Sequence, residues 1–137
     1  MAYWLIKTEP GDFSWDDQVR AGSAEWYGVR SYAARKHMRE MEIGDKCFFY
    51  HSVDEKRIVG IARVSAPVHQ DSTTEDPRWE CVDIEAVEPM PEPVSLDQIK
   101  ANPELGAMVL VNNTRLSVQP VREAEWREIC RMGKLKI

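Results

Sequence analysis

The distribution of apolar positions along the chain predicts a β-rich protein. Short apolar runs that are rich in aromatic and β-branched residues alternate with polar turn segments, which is typical of strands. One run alternates strictly, with Val82 and Ile84 on one face and Cys81 and Asp83 on the other, as in a half-buried strand. The predicted strands cover residues 3–7, 46–52, 58–64, 78–87, 108–111 and 116–118.

Helices are predicted where a capping residue precedes an amphipathic segment. Ser14 and Ser31 have the pattern of N-cap residues, and Ser95 forms a capping-box pattern with Gln98. Gly44 is expected to end the second of these helices. The predicted helices cover residues 15–21, 32–43, 96–101 and 123–132.

Two further stretches predict connections. Residues 68–77 are polar and rich in turn-forming residues, which predicts a long loop, and the prolines of residues 88–93 predict a stiff connection. Because most predicted strands are neighbours in sequence, antiparallel pairing is expected. The predicted fold class is α+β and β-rich, a bent or closed mixed β-barrel of about five to six strands flanked by short helices. No repeat or linker divides the chain, so residues 1–137 are expected to form a single domain.

Charge and cysteine content narrow the classes of function. The 18 basic and 23 acidic side chains give a net charge of −5, so a broad basic surface for nucleic acid is not expected. Any nucleic-acid affinity must then come from a local site. The widely spaced Cys47, Cys81 and Cys130 argue against disulfides and fit a reducing compartment. With neither a signal peptide nor a membrane span in the pattern, a cytoplasmic location is expected, or a nuclear one in a eukaryote.

Catalytic and metal-binding motifs are not apparent in the sequence. No P-loop, dinucleotide fingerprint or nucleophile elbow occurs. The histidines His37, His51 and His69 are isolated, so we expect neither a metal nor a cofactor. His51 and Ser52 are neighbours in a predicted strand and point to opposite faces, which disfavours a catalytic pair. No catalytic residue is therefore expected.

Tryptophan is the unusual feature of the composition, with five residues in a small protein. Trp4 and Trp126 lie in regular apolar patterns and are predicted to be core residues. Trp26 lies in an irregular, glycine-containing segment, and Trp79 ends a polar loop. Both positions favour a half-exposed aromatic ring, which is suited to stacking on a nucleobase.

Six segments, taken in order, resemble the EVE domain family and together span almost the whole chain. They are YWLIKTEP at 3–10, WYGVRSYAAR at 26–35, GD at 44–45 with FFYHS at 48–52, IVGIARV at 58–64, DPRW at 76–79 and RLSVQPV at 115–121. The resemblance implies a PUA-like barrel with a ligand pocket beside it. It also implies a relation to YTH domains, which hold a methylated adenine in an aromatic cage.

The function that the resemblance implies is a non-enzymatic module that reads a modified base of DNA or RNA. The expected partner is a single-stranded or flipped-out nucleotide, without metal or membrane, and the protein is expected to be a monomer. Thr8, Ser31, His51, Ser52 and Ser117 are the candidates for hydrogen bonds to the base, and Lys7, Arg30, Arg35 and Arg115 are the candidates for phosphate contacts. The other expected pocket residues are Trp26, Val29, Tyr32, Tyr50, Asp76 and Trp79.

Position 31 departs from the family pattern, which has Asn where this chain has Ser31. A serine offers one hydroxyl where the amide offers both a donor and an acceptor, so base preference would change if this position reads the base edge. Both residues cap helices similarly well, so the exchange is equally compatible with a capping role alone.

Two alternatives remain open at this stage. The same pocket is compatible with an enzyme acting on a small molecule or a base, using Glu9, His51 or Asp83. An aromatic pocket also suits a methylated lysine, because a cation binds well to aromatic faces. Carboxylates around the pocket would favour the lysine reader, and the neighbouring Arg30 and Arg115 would disfavour it.

Overall fold

The computed structural model describes residues 2–135. These residues fold around a six-stranded mixed sheet. The spatial order of the strands is β2-β5-β4-β3-β1-β6. The strands are β1 (Tyr3–Thr8), β2 (Ser23–Glu25), β3 (Lys46–His51), β4 (Arg57–Gln70), β5 (Glu80–Ser95) and β6 (Val118–Val121). The predicted α+β class with five to six strands is confirmed. Within residues 2–135 the sheet stays open between its edge strands β2 and β6, so the barrel is not closed by hydrogen bonds.

A parallel pair lies near the centre of a sheet whose other pairs are antiparallel. Strands β1 and β3 run parallel, from Tyr3 opposite Lys46 to Thr8 opposite His51. A parallel pair needs a long crossover, and the segment between these strands contains two helices and β2. The carboxyl ends of β1 and β3 therefore lie side by side, and the Ser52 amide donates to the Thr8 carbonyl at 2.8 Å.

The helices follow the predicted caps. They are α1 (Trp15–Ala21), α2 (Tyr32–Glu40), α3 (Leu96–Ala101), α4 (Val109–Asn112) and α5 (Glu123–Met132), with a 3-10 turn at Pro103–Leu105. Ser14 and Ser95 each form the complete capping box, and Ser31 accepts a hydrogen bond from the Ala34 amide at 3.3 Å. Helix α2 ends at Glu40, earlier than predicted, because Met41 is already extended. None of the described helices is long and apolar enough to cross a membrane.

The sheet separates two apolar clusters, because side chains alternate along β1 and β3. The first core cluster is built around Ile6, Trp26 and Phe49, and the second core cluster around Phe48 and Trp126. In the second cluster the Trp126 ring stacks on Phe48 with a centroid separation of 3.9 Å and on Tyr3 at 4.6 Å. Trp4 and Trp126 are both 4 % exposed, which confirms their prediction as core residues.

Strands β4 and β5 are longer than predicted. Strand β4 continues to Gln70 across part of the predicted loop, and β5 continues to Ser95 through the three prolines. The prediction of a stiff connection at 88–93 was therefore wrong, whereas the predicted loop at 68–77 was wrong only for residues 68–70 and is observed for residues 71–77. Several register shifts interrupt the β4–β5 ladder, and such bulges accommodate proline in a sheet. Gly60 sits in this irregular ladder where the Trp15 ring packs against its backbone, since an added Cβ would lie 2.6 Å from that ring.

The predicted strand at 108–111 was also wrong, because these residues form the start of the short helix α4. The Asn112 side chain donates to the Met108 carbonyl at 3.0 Å and stabilises this turn. Met108 and Leu110 are buried in the second core cluster. A run of four apolar residues does not distinguish a buried helical turn from a strand by periodicity.

Candidate functional site

A cavity of about 670 Å³ lies at the end of the sheet where β1 and β3 finish. Its lining residues come from segments 7–13, 25–30, Ser52 and 114–117. The Lys7 amide donates to the Ser117 carbonyl at 2.9 Å, which draws the start of β6 to the same edge as the ends of β1 and β3. The volume lies within the usual range for small-molecule sites, about 300–1,000 Å³.

Three aromatic residues, Phe13, Trp26 and Tyr27, form one wall of the cavity. Trp26 is only 5 % exposed, because Phe13 and Phe49 pack edge-on against it with centroid separations of 6.2 and 5.3 Å. Tyr27 is 48 % exposed and lies 6.4 Å from the Phe13 ring. The prediction of a half-exposed ring at Trp26 was therefore wrong: Trp26 lines the cavity with a small part of its ring, and Tyr27 presents the larger accessible aromatic surface.

A buried carboxylate holds the segment that carries this wall. The Asp71 side chain is fully buried, and it accepts hydrogen bonds from the Gly28 amide at 2.8 Å and from the Arg30 guanidinium at 3.1 Å. Its other oxygen accepts bonds from the amide and hydroxyl of Thr73 at 2.8 and 2.6 Å. Burial acts to raise the pKa of Asp71, but these hydrogen bonds outweigh it and lower that pKa to about 2. The carboxylate therefore stays charged and fixes the turn at Gly28, whose φ of 82° suits glycine.

The charges at the cavity are mixed. Cationic side chains come from Lys7, Arg30 and Arg115, and carboxylates come from Glu9, Asp12 and Glu25. The Lys7 ammonium donates to the Thr114 carbonyl at 2.9 Å, and partial burial lowers the pKa of Lys7. The formal charges of these six side chains cancel, so the site offers local anion contacts without a strong net potential.

The small polar side chains at the cavity are hydroxyls. Thr8, Ser52 and Ser117 all contribute to its lining. The Thr8 hydroxyl donates to the Phe13 carbonyl at 3.0 Å, which ties the end of β1 to the turn that carries the Phe13 ring. The Thr8 hydroxyl can therefore still accept a hydrogen bond from a ligand, whereas the Ser52 and Ser117 hydroxyls can donate or accept.

The structure brings eight of the residues expected at the pocket together around this cavity. They are Lys7, Thr8, Trp26, Val29, Arg30, Ser52, Arg115 and Ser117. Their role in binding stays a prediction. The expected Ser31, Tyr32, Tyr50, His51, Asp76 and Trp79 lie outside the lining, in three different settings.

His51 and Tyr50 have neighbours in the fold that account for their positions. The His51 Nε2 atom accepts a hydrogen bond from the Trp15 amide at 3.0 Å, and its Nδ1 atom lies 3.0 Å from the Glu55 carboxylate. Tyr50 is buried in the second core cluster, and burial raises the pKa of its hydroxyl to about 12. Ser31 is occupied as the cap of α2, so its side chain has a structural partner as well.

Tyr32 and Trp79 form a separate surface next to the cavity, which we call the outer patch: Arg30, Tyr32, Arg35, Arg78 and Trp79. The Tyr32 and Trp79 rings lie 5.3 Å apart, and Arg35 lies 4.8 Å from the Tyr32 ring. The Arg30 and Arg78 guanidinium groups lie 5.6 and 5.7 Å from the Trp79 ring. Asp76 pairs with Arg78 at 2.7 Å and belongs to this patch rather than to the cavity. Arg30 contributes to both surfaces and connects them.

Eight lining residues were not among the expected pocket residues: Glu9, Gly11, Asp12, Phe13, Glu25, Tyr27, Gly28 and Thr114. Signals for two of them were present in the sequence. Phe13 follows a Pro-Gly turn, and Tyr27 adjoins a glycine in an irregular segment, both being positions where an aromatic ring lies at a surface. Asp71 precedes Ser-Thr in a pattern typical of an Asx turn, but its contact with Gly28 is not local in sequence.

Comparisons with known proteins agree on one family. The family model of the EVE domain matches residues 2–132. A crystal structure of a protein from Agrobacterium tumefaciens is 55 % identical, with a TM-score of 0.95, and the match covers 98 % of this chain and 94 % of that one.

A eukaryotic relative is thymocyte nuclear protein 1. The sequence from Mus musculus is 31 % identical over 90 % of this chain and 70 % of its own length. The crystal structure of the human THYN1 protein in complex with 5-methylcytosine containing DNA is 28 % identical, with a TM-score of 0.91 and complete coverage of both chains.

A more distant similarity concerns the fold alone. The YTH domain of Zygosaccharomyces rouxii MRB1, solved in complex with N6-methyladenosine RNA, is 17 % identical, with a TM-score of 0.60. The match covers 98 % of this chain and 88 % of that domain. The expected structural relation to YTH domains is therefore confirmed.

Proposed function

Because this chain belongs to the EVE domain family, we propose that it is a non-enzymatic module that takes a modified base of DNA or RNA into the cavity. One observation carries the proposal. The aromatic-walled cavity lies in a chain that superposes over its full length on a human protein whose structure contains 5-methylcytosine DNA. The bound group would be one nucleotide, because the volume of about 670 Å³ suits a drug-sized ligand and not a duplex.

The aromatic wall accounts for affinity, and the hydroxyls account for selectivity. Stacking on Tyr27 and on the exposed parts of Phe13 and Trp26 contributes about 1–3 kcal/mol per base. A buried methyl group adds about 0.8 kcal/mol, which is only a few-fold preference. Stronger discrimination needs hydrogen bonds to the base edge, for which Thr8, Ser52, Thr114 and Ser117 supply hydroxyls.

The outer patch is proposed to contact the nucleotide next to the bound base. Its exposed Tyr32 ring and half-buried Trp79 ring lie beside arginines, an arrangement suited to stacking on a base or a sugar next to a phosphate. Arg30 lines both surfaces, so a single strand leaving the cavity would pass directly onto the patch.

The charge balance favours single-stranded or already flipped targets. Extracting a base from a duplex costs a few kcal/mol, roughly the amount that one stacking contact returns. The cavity has as many carboxylates as cations, so phosphate contacts add little to offset this cost. We therefore expect weak affinity for intact duplexes and a shallow salt dependence.

A methyl-lysine reader remains the second candidate, because Glu9, Asp12 and Glu25 line the same cavity as the aromatic wall. An enzyme has less support. His51 is engaged by Trp15 and Glu55, and Asp83 is hydrogen-bonded to His69, so Glu9, His51 and Asp83 do not converge on one reacting centre.

The test is calorimetric titration with short single-stranded oligonucleotides that carry one modified base, compared with unmodified oligonucleotides and a trimethyl-lysine peptide. The informative variant is Tyr27→Ala, since this ring is half exposed and its loss leaves the core intact. Ile43→Ala is the matched control, because it removes an exposed apolar side chain away from the cavity. Binding of a modified oligonucleotide that Tyr27→Ala weakens and Ile43→Ala preserves supports the proposal. Binding of the peptide alone supports the second candidate.

The domain boundaries and the oligomeric state also stay predictions. We expect residues 1–137 to form a single domain and the protein to be a monomer. Light scattering on the purified chain tests the monomer, and a single cooperative unfolding transition tests the domain.

A further inference from the structure

Four side chains with metal-binding chemistry meet on one face of the sheet, across β2, β5 and β4. They are Glu25, His69, Cys81 and Asp83, and one potential ligand atom from each lies within 4.8 Å of the others. The cluster combines an imidazole, a thiol and two carboxylates. Its single histidine and single cysteine do not form a pair with zinc-motif spacing, which is why the sequence predicted no metal site.

The strand register assembles the cluster. Cys81 and Asp83 are two residues apart on β5 and so point to the same face. His69 on β4 is the cross-strand partner of Cys81, and Glu25 on β2 is the partner of Asp83. Directly opposite residues on one face are close neighbours, so the side chains converge without any loop rearrangement.

The distances between the polar atoms suit a shared ligand. The His69 Nε2 atom lies 2.7 Å from the Asp83 carboxylate and 4.0 Å from the Cys81 sulfur. The His69 Nδ1 atom lies 3.6 Å from the Glu25 carboxylate. Ligand atoms around a tetrahedral zinc ion lie roughly 3.3–3.8 Å apart, given zinc bonds of about 2.0–2.3 Å. The Asp83 and Cys81 contacts are on Nε2 and the Glu25 contact is on Nδ1, so an ion bound through Nε2 would require the Glu25 side chain to reorient.

The cluster also has an entry path. The Cys81 thiol is buried, whereas the side chains of His69, Asp83 and Glu25 are 38 %, 29 % and 27 % exposed. An ion arriving from solvent would meet the imidazole and the carboxylates before it reached the sulfur. The same groups would also screen the bound ion from water.

We propose that Glu25, His69, Cys81 and Asp83 bind one divalent transition-metal ion of the zinc class. A thiolate with an imidazole selects zinc-like ions over magnesium and calcium, which prefer oxygen ligands. On binding, the sulfur–hydrogen bond of Cys81 gives way to a sulfur–metal bond, and the proton leaves to the buffer. The imidazole binds as a neutral base through one nitrogen, and no electron transfer takes place.

Protons and a metal ion compete for the same atoms of the cluster. A bound ion must displace the thiol proton of Cys81 and compete with protonation of the His69 imidazole, so metal affinity should increase with pH.

The experiment is titration of the chelator-treated full chain with Co²⁺, which reports thiolate ligation through a sulfur-to-metal charge-transfer band. We expect one Co²⁺ per chain, displacement by Zn²⁺ and no displacement by Mg²⁺. Cys81→Ser should abolish the band, and His69→Gln should weaken Co²⁺ binding at least about tenfold. Cys130→Ala and His37→Gln are the matched controls, because these residues lie outside the cluster, and they should leave the titration unchanged.

Two results would overturn the site: no charge-transfer band in the wild-type chain, or a band that persists in Cys81→Ser. If Cys81→Ser does not fold, the partly exposed His69→Gln and Asp83→Asn variants decide the question, and unchanged affinity in both contradicts the proposal. The readout is independent of nucleic-acid binding, so its failure leaves the proposed base-reading function untouched.

Discussion

Trp26 and Trp126 lie on opposite faces of the sheet and are almost equally buried, at 5 % and 4 % exposure. Their neighbours differ. Trp126 stacks face to face with Tyr3 and Phe48 and is enclosed by apolar residues. Trp26 meets Phe13 and Phe49 edge-on and borders a cavity with charged and hydroxyl side chains.

The difference shows that burial alone does not separate an enclosed core residue from a residue that lines a cavity. Stacked geometry gives Trp126 its largest contact area within the protein, which leaves no face for a ligand. The Trp26 amide still donates to the Val82 carbonyl of β5 at 2.8 Å, but the irregular backbone that follows it at Gly28 and Arg30 is held by the buried Asp71. One side of the sheet is thus organised by apolar packing, and the cavity end is organised by a polar contact between distant segments.

The sharpest test of this contrast is Trp126→Ala. Removing a stacked core indole should destabilise the protein by about 3–5 kcal/mol. Oligonucleotide affinity should be unchanged at a temperature where the variant is folded, because Trp126 is distant from the cavity lining. Chemical denaturation and calorimetry on the same sample measure both quantities. A parallel loss of affinity in the folded variant would mean that the two sides of the sheet are coupled.

The second prediction concerns Asp71→Asn. The amide keeps an acceptor for the Gly28 amide but loses the charge paired with Arg30, so we expect destabilisation of about 1–3 kcal/mol. Unlike Trp126→Ala, this variant should also weaken oligonucleotide binding, because Gly28 and Arg30 line the cavity. Glu125→Gln is the matched control, since Glu125 is a buried carboxylate that pairs with Arg122 at 2.8 Å outside both the cavity lining and the outer patch. Equal effects of the two variants on binding would contradict a special role for Asp71.

The contribution of the Asp71 carboxylate to folding stability should decrease as the solution becomes acidic. Its pKa is about 2 in the folded protein, below the value of about 3.9 in an unfolded chain. The carboxylate therefore contributes its full stability above the unfolded-chain value, and the contribution is lost as the pH falls through about 2. The stability difference between wild type and Asp71→Asn should accordingly be constant near neutral pH and shrink in acid, as urea denaturation over a pH series would show.

Local sequence signals predicted the parts of the fold that local chemistry determines. The serine caps of α1, α2 and α3 and most of the strands were read correctly, because a cap or an alternating run acts over a few residues. The long continuations of β4 and β5 were missed, since bulges let turn-forming residues and prolines pair within the sheet.

The candidate site was predictable in part for the same reason. Segments at the ends of β1 and β3 carried recognisable residues, and the structure brings Lys7, Thr8 and Ser52 together there. The anchoring of Gly28 by Asp71 spans 43 positions, and the cluster around His69 depends on strand register across a bulged ladder. Neither contact has a local signature, so only the three-dimensional arrangement reveals them.

A smaller effect is expected from Arg115→Ala. Arg115 lines the cavity and is exposed, so it is a candidate for a phosphate contact. Its loss should weaken binding similarly for all oligonucleotides and reduce the slope of log K against log salt by about one. Arg127→Ala is the control, because that arginine lies on α5 and pairs with Glu123. A change in base preference rather than in salt dependence would assign Arg115 to the base edge instead.

The smallest effect is predicted for Ser31→Asn, which restores the residue of the family pattern. Ser31 caps α2 through the Ala34 amide and lies outside the cavity lining, so its side chain has no direct route to a base held there. Serine and asparagine cap helices about equally well, and the stability should therefore change by no more than about 0.5 kcal/mol. Base preference in a panel of modified oligonucleotides should also be unchanged. A shift in preference would mean that the bound nucleotide reaches past Arg30 to the start of α2, and that the base contacts the outer patch as well as the cavity.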